Sequence, residues 1–276
     1  MTKLKLAFST CPNDTFIFDA WVNGHLPNAL ATSPFLGDID HLNAMAKNDE
    51  TDIIKISYHA FIHLAEKYIM LDAGSALGFG VGPLLIAKKE ISLNDIPQLR
   101  IAIPGELTTA AMLLKYAFPE AVNTTVMLFS EIEEAILSGT VDAGVIIHEN
   151  RFTYQQKGLI KLLDLGSYWE EKTTLPIPLG GIAVRRSFNK DQLLEINVMM
   201  QKSVEFAFAN PKTSMPYVKR YAANMDTEVM QQHINLYVNN ETLKIDEQGK
   251  KAVRTLAKLI RPDLPDSLPL FTSDIL

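Results

Sequence analysis

The chain has a single cysteine, Cys11, in 276 residues. No intrachain disulfide can form, so hydrophobic burial must hold the fold. So little cysteine suits a reducing compartment. Cys11 falls in a strand-to-helix loop, where a nucleophile could sit, but a small buried residue is the simpler reading. Positive charge is also scarce. Lys and Arg number 26 against 32 Asp and Glu, for a net charge of −6, and no basic cluster occurs. Nucleic acid is therefore not an expected partner. An anionic ligand would have to be held by local donors rather than by a global field. No apolar run approaches the about 20 residues that a membrane helix needs, so membrane insertion is not expected. Met1 to Leu6 shows no long apolar core and no cleavage pattern, and reads as a first strand. A cytoplasmic location follows as the expectation.

Signatures of cofactor chemistry are missing too. There is no Walker loop and no Gly-x-Ser-x-Gly elbow. Gly78-Phe79-Gly80 has the look of a dinucleotide loop, but Pro83 to Ala87 reads as a strand where that motif needs a helix. His59 and His63 stand one helical turn apart, yet no glutamate follows His59 as a metalloprotease requires. No Cys/His cluster supports zinc. The expectation is an absence of metal and of any other cofactor.

What is present is the patterning of a globular protein. Hydrophobic residues make up 47% and charged residues 21%. Over the first seventy residues strand and helix patterns alternate, which implies a parallel sheet. Asn13 or Asp14 is placed to cap the first helix, and Asp38 or Asp40 the second. The glycines at 74, 78, 80 and 82 suit a bend or a crossover. A second alternating set follows, in which Ser130 and Glu133 read as a capping box and Ala143 to Ile147 as a buried strand. Gly180 to Val184 reads as a return strand. From Asn189 to Ile260 the pattern is nearly all helical, with breaks at Pro211, Pro216, Asn224 and Asn239. The tail, with Pro262, Pro265 and Pro269, reads as a surface wrap.

This organisation predicts an α/β protein with two lobes. Residues 1–89 and 176–276 would form a larger discontinuous lobe, and residues 90–175 a smaller inserted one. The architecture is that of a type II periplasmic-binding-protein-like fold, with a ligand cleft between lobes and the helical C-terminal third on the first lobe.

Three loops carry candidate chemistry. His148 ends the apolar run Ala143 to Ile147, and ligands of open α/β sheets sit beyond the carboxyl ends of strands. Its imidazole can exchange a proton near neutrality. A histidine satisfied by backbone at a strand end is the competing structural reading, and position alone leaves the two even. Lys55 stands between Ile54 and Ile56 in an apolar strand, and Ser57 shares its face. A buried lysine needs a partner or an anionic ligand, whereas simple alternation would turn it to solvent. Thr108 and Thr109 enter a helix N-terminus, where free N–H groups attract a carboxylate, though ordinary capping is common there. Trp21 and Trp169 read as core.

Five blocks then resemble one family. They are Ser9-Thr10-Cys11-Pro12-Asn13-Asp14-Thr15-Phe16-Ile17-Phe18, Lys55-Ile56-Ser57-Tyr58, Leu77-Gly78-Phe79-Gly80-Val81-Gly82-Pro83-Leu84, Pro104-Gly105 with Thr108-Thr109, and Ile146-Ile147-His148-Glu149-Asn150-Arg151-Phe152-Thr153-Tyr154. In order and spacing they are similar to the 1,4-dihydroxy-6-naphthoate synthases of the futalosine route to menaquinone. The resemblance implies a two-lobed binding-protein fold and a cofactor-independent carbon–carbon lyase. Such an enzyme converts cyclic dehypoxanthine futalosine to 1,4-dihydroxy-6-naphthoate. It further implies His148 as general base, and Lys55, Ile56, Ser57, Thr108 and Thr109 as substrate-binding positions for a small molecule with a carboxylate. A non-catalytic binding protein for a small aromatic carboxylate, and the related chorismate dehydratase of the same pathway, are the competing readings. Oligomeric state is left open.

Overall fold

Leu6, Ala7 and Phe8 are fully buried in strand β1 (Leu4–Ser9). It pairs in parallel with β2 (Thr32–Gly37) and β3 (Ile53–Ser57). Parallel neighbours need crossovers, supplied by α1 (Pro12–Val22) and α2 (Ile39–Lys47). All five residues of β3 are buried, as in a strand covered on both faces. Then come α3 (Tyr58–His63), β4 (Tyr68–Met70) and β5 (Ala76–Gly78). The computed structural model describes residues 3–148, 150–222 and 225–275. The chain divides into two compact units, one of Met1–Gly78 with Pro178–Leu276 and the other of Phe79–Ile177.

The second unit runs β6 (Leu84–Ala87), β7 (Ile101–Ile103), α4 (Thr109–Ala117), β8 (Thr124–Val126), α5 (Ile132–Leu137) and β9 (Ala143–Ile146). It ends with α6 (Asn150–Thr153), β10 (Ile160–Asp164) and α7 (Leu165–Thr173). Its sheet has the order β10-β6-β9-β7-β8. Strand β7 is parallel to β8 and β9, while β6 is antiparallel to β9 and β10. Leu84, Ile86, Ala102, Ile132, Ile136 and Ile146 form its core. Because β6 joins this sheet, residues 79–89 go with the second unit rather than with the larger one. A glycine-rich bend gives no sign of which sheet the next strand will join. Gly82 has a clear reason to be glycine: a Cβ there would lie 2.3 Å from Gly166 Cα.

In the first unit β11 (Ile177–Arg185) returns antiparallel to β3 and β4, giving the order β2-β1-β3-β11-β4 with β5 on β11. Helices α8 (Lys190–Ala209), α9 (Pro211–Tyr221), α10 (Thr227–Tyr237), α11 (Asn240–Leu243) and α12 (Glu247–Ile260) follow. Their apolar residues Ile196, Met200, Val204, Val218 and Ile234 join Leu6, Phe8, Phe18, Trp21 and Ile53 in one core. Phe8 and Phe18 stack with ring centroids 4.3 Å apart. Trp21 and Trp169 are both core residues, each donating its indole N–H to a backbone carbonyl, of Leu30 and Pro176 respectively. Among the described residues no helix is long and apolar enough to cross a membrane.

Four local expectations are corrected. Pro216 lies inside α9 instead of breaking it. The lost hydrogen bond is outweighed by burial of Tyr217 and Val218 just beyond it. Asn224 falls outside the described residues. Helix α1 is capped by neither Asn13 nor Asp14: Cys11 is its N-cap, Pro12 opens it, and Asn13 and Asp14 are both buried inside it. Ser130 and Glu133 form no capping box, because Glu131 is the N-cap and Glu133 accepts from Lys157 Nζ at 2.6 Å. The tail does not simply wrap the surface. Phe271 is fully buried, Met70 N–H donates to Leu270 O at 2.9 Å, and Asp72 accepts from Ser273 N–H at 2.8 Å.

Candidate functional site

In each unit the candidate residues leave one edge of a parallel strand group, the carboxyl edge where α/β proteins place ligands. In the first unit β1 and β3 are parallel neighbours, so the loop after Ser9 and the end Lys55-Ile56-Ser57 emerge together. In the second, β7 and β9 are parallel neighbours, so Thr108 and Thr109 emerge with His148.

Lys55 is buried, not turned to solvent. Its ammonium lies 2.9 Å from Asp14 Oδ1, and both side chains are almost wholly enclosed. The contact is an ion pair rather than an aligned hydrogen bond, and among the described residues no hydrogen bond takes up the ammonium's donors. Asp14 is itself held on both oxygens. Ser9 Oγ donates to Oδ2 at 2.6 Å and Asn13 Nδ2 donates to Oδ1 at 2.8 Å. Asn13 Oδ1 in turn meets His233 Nε2 at 2.9 Å, which ties this end of the sheet to α10. None of Ser9, Asn13, Asp14 or His233 was singled out from sequence for this role. A buried lysine does demand an anion, and Asp14 is the acid nearest the end of the strand beside β3.

Ile56 is fully buried and opposes Gly181 of β11, so its side chain belongs to the core. Ser57 is the N-cap of α3: its hydroxyl accepts from Ala60 N–H at 3.0 Å, and its own N–H donates to Asn43 Oδ1 at 3.1 Å. The neighbouring Tyr58 hydroxyl is 2.7 Å from Ser75 Oγ, and burial pushes its pKa far above the usual phenol range.

Thr108 caps α4. Its hydroxyl donates to Gly105 O at 2.7 Å and accepts from Ala111 N–H at 3.2 Å. Thr109 is the first residue of that helix and is buried. The positive end of the α4 dipole therefore lies at the carboxyl edge of β7.

His148 follows the end of β9 and is half-buried. Its ring packs edge-on to Phe129, with centroids 5.0 Å apart and an interplanar angle of 66°. Its backbone φ is +58°. A left-handed histidine costs about 1–2 kcal/mol relative to ordinary backbone, and such strain clusters at functional sites. His59 and His63 lie with ring centroids 5.2 Å apart. Burial, and then the nearby Arg261, hold the His63 imidazole below its usual pKa. Among the described residues no group of three or more His, Cys, Asp and Glu is arranged to hold a metal ion.

Two sequence relatives and a family profile agree on one family. The sequence is 42% identical to a 1,4-dihydroxy-6-naphthoate synthase of Streptomyces coelicolor over 258 residues, 92% of this chain and 91% of that protein. It is 38% identical to the synthase of Thermus thermophilus over 256 residues, 93% of each chain. Among solved structures, protein AF1704 of Archaeoglobus fulgidus superposes with a TM-score of 0.88 at 35% identity, covering 95% of this chain and 98% of that one. The periplasmic aliphatic sulphonate binding protein SsuA of Escherichia coli superposes with a TM-score of 0.66 at 10% identity, covering 95% of this chain and 87% of that one. That likeness concerns the fold, which is the two-lobed α/β fold of periplasmic binding proteins. The profile of the menaquinone biosynthesis family matches residues 4–262, and the chain belongs to that family.

Proposed function

We propose that this protein is a lyase that converts cyclic dehypoxanthine futalosine to 1,4-dihydroxy-6-naphthoate in the cytoplasm, with His148 as its general base. The near-full-length similarity to two synthases of that name carries the reading. The residues are suited to the chemistry. Fragmenting a cyclic sugar adduct into an aromatic ring is redox-neutral overall, and aromatisation drives it. The reaction asks for a base and for donors to a carboxylate. A half-buried imidazole at a strand end suits the first task. The start of α4 suits the second, because the positive end of its dipole and the N–H groups of its first turn favour an anion. Lys55, Ile56 and Ser57 complete the proposed substrate-binding set. Lys55 supports it with unused donor capacity, and Ile56 with position only.

The direct test is incubation of the purified protein with cyclic dehypoxanthine futalosine and detection of the dihydroxynaphthoate product. Folded protein that forms no product overturns the reading. Binding without turnover would mark a binding protein for a small aromatic carboxylate, and turnover of chorismate would mark the related dehydratase.

Two further outcomes are expected. Thr109→Val removes a hydroxyl but keeps shape, and should raise KM with little change in melting temperature. An unchanged KM would make this loop purely structural. Activity should also survive exhaustive dialysis against a chelator with no nicotinamide, flavin or metal added. Loss on chelation and return with one divalent ion would show that His59, His63 or other groups hold a metal.

A further inference from the structure

We propose that Arg151 is a positioning residue for His148, fixing the strained turn that carries the proposed base. This rests on the reading of His148 as base. The case starts from what cannot hold that turn. His148 has φ +58°, and the residues after it form one α-helical turn, Asn150–Thr153, followed by a 3-10 turn, Tyr154–Lys157. A turn that short has no stability of its own. The bond from Arg151 N–H to His148 O is long, at 3.4 Å. Something outside the turn must hold it.

The Arg151 guanidinium does so from three directions. Nη1 donates to Gly82 O, and Nη2 donates to Gly80 O at 2.9 Å and to Asp164 Oδ2 at 3.1 Å. Each anchor is itself immobilised. Gly80 N–H donates to Glu170 Oε1 at 2.6 Å. Gly82 packs backbone to backbone on Gly166. Asp164 uses its other oxygen, Oδ1, to cap α7 through Gly166 N–H and Ser167 N–H, each at 3.0 Å. Arg151 and Asp164 are largely buried, with side chains 16% and 14% exposed, so solvent screens their charges only in part. The planar fork of arginine reaches two carbonyls and a carboxylate at once. A lysine ammonium offers no such fixed plane.

The test is a double-mutant cycle in single-turnover assays with enzyme in excess. Arg151→Met should lower turnover by about 10-fold to 10²-fold with KM little changed, the cost of displacing a catalytic group by up to about 1 Å. Arg151→Lys should recover part of the loss. Added to His148→Ala, Arg151→Met should cause no further loss, because its effect passes through the missing imidazole. Asp164→Asn keeps an oxygen for the α7 cap and removes the charge facing Arg151. It should show a smaller fall with the same non-additivity, and it carries the cycle if Arg151→Met fails to fold. Parental turnover in Arg151→Met, or a full additional loss on top of His148→Ala, overturns the proposal. Near-parental turnover of His148→Ala alone would instead refute the base, and is read before Arg151 is considered.

Discussion

His148→Ala is expected to lower turnover by roughly 10²–10⁴-fold, the usual contribution of a general base. That corresponds to about 3–5 kcal/mol of barrier. Two features carry the expectation: the strand-end position of His148 at the carboxyl edge shared with Thr108 and Thr109, and its left-handed backbone. The second invites a control. Alanine is no more comfortable than histidine at φ +58°, so part of any loss could come from a relaxed turn. Asparagine accepts this conformation more readily and is no base at neutral pH. If proton transfer is the role, His148→Asn should be as inactive as His148→Ala. Substantial turnover in the asparagine variant would assign His148 a conformational role.

Lys55→Met should destabilise the fold by about 3–5 kcal/mol, because it leaves the Asp14 carboxylate enclosed without its cation. Asp14→Asn should cost a similar amount, by stranding the ammonium. The two changes together should cost less than their sum, since the double variant buries no unpaired charge. Urea unfolding of the four proteins measures this. Additive losses would mean that the 2.9 Å contact carries no coupling. A Lys55→Met protein with parental stability and a raised KM would assign the lysine to substrate alone.

Much of the frame was legible from pattern. Alternation of strand and helix pointed to parallel sheets, which β1 with β2 and β3, and β7 with β8 and β9, form. Capping was readable where the side chain does its usual work, as at Asp38, whose carboxylate accepts from Asp40 and His41 N–H. It failed at Asn13, Asp14, Ser130 and Glu133. By its sequence neighbours each fits a local cap or box. In the fold Asn13, Asp14 and Glu133 serve partners far along the chain: His233 lies 220 residues from Asn13, and Lys157 lies 24 residues from Glu133. Local competition for backbone N–H groups can be judged from neighbours in sequence. Competition from a distant cation or amide cannot.

Burial of Lys55 shows the same division. Residue types and order were enough to say that an apolar strand holds a lysine and that such a lysine needs an anion. They named the strand ends and helix starts where His148, Ser57, Thr108 and Thr109 stand. Pairing of β1 beside β3 chose Asp14 as the anion, and return of α10 onto α1 placed His233 on Asn13. Folding of Gly80 and Gly82 under Arg151 turned a glycine-rich bend into the anchor of the His148 turn. Periodicity and capping are properties of a few consecutive residues, so the chain carries them openly. The partner of a buried charge depends on which strands lie side by side, and that choice is made by packing of the whole core.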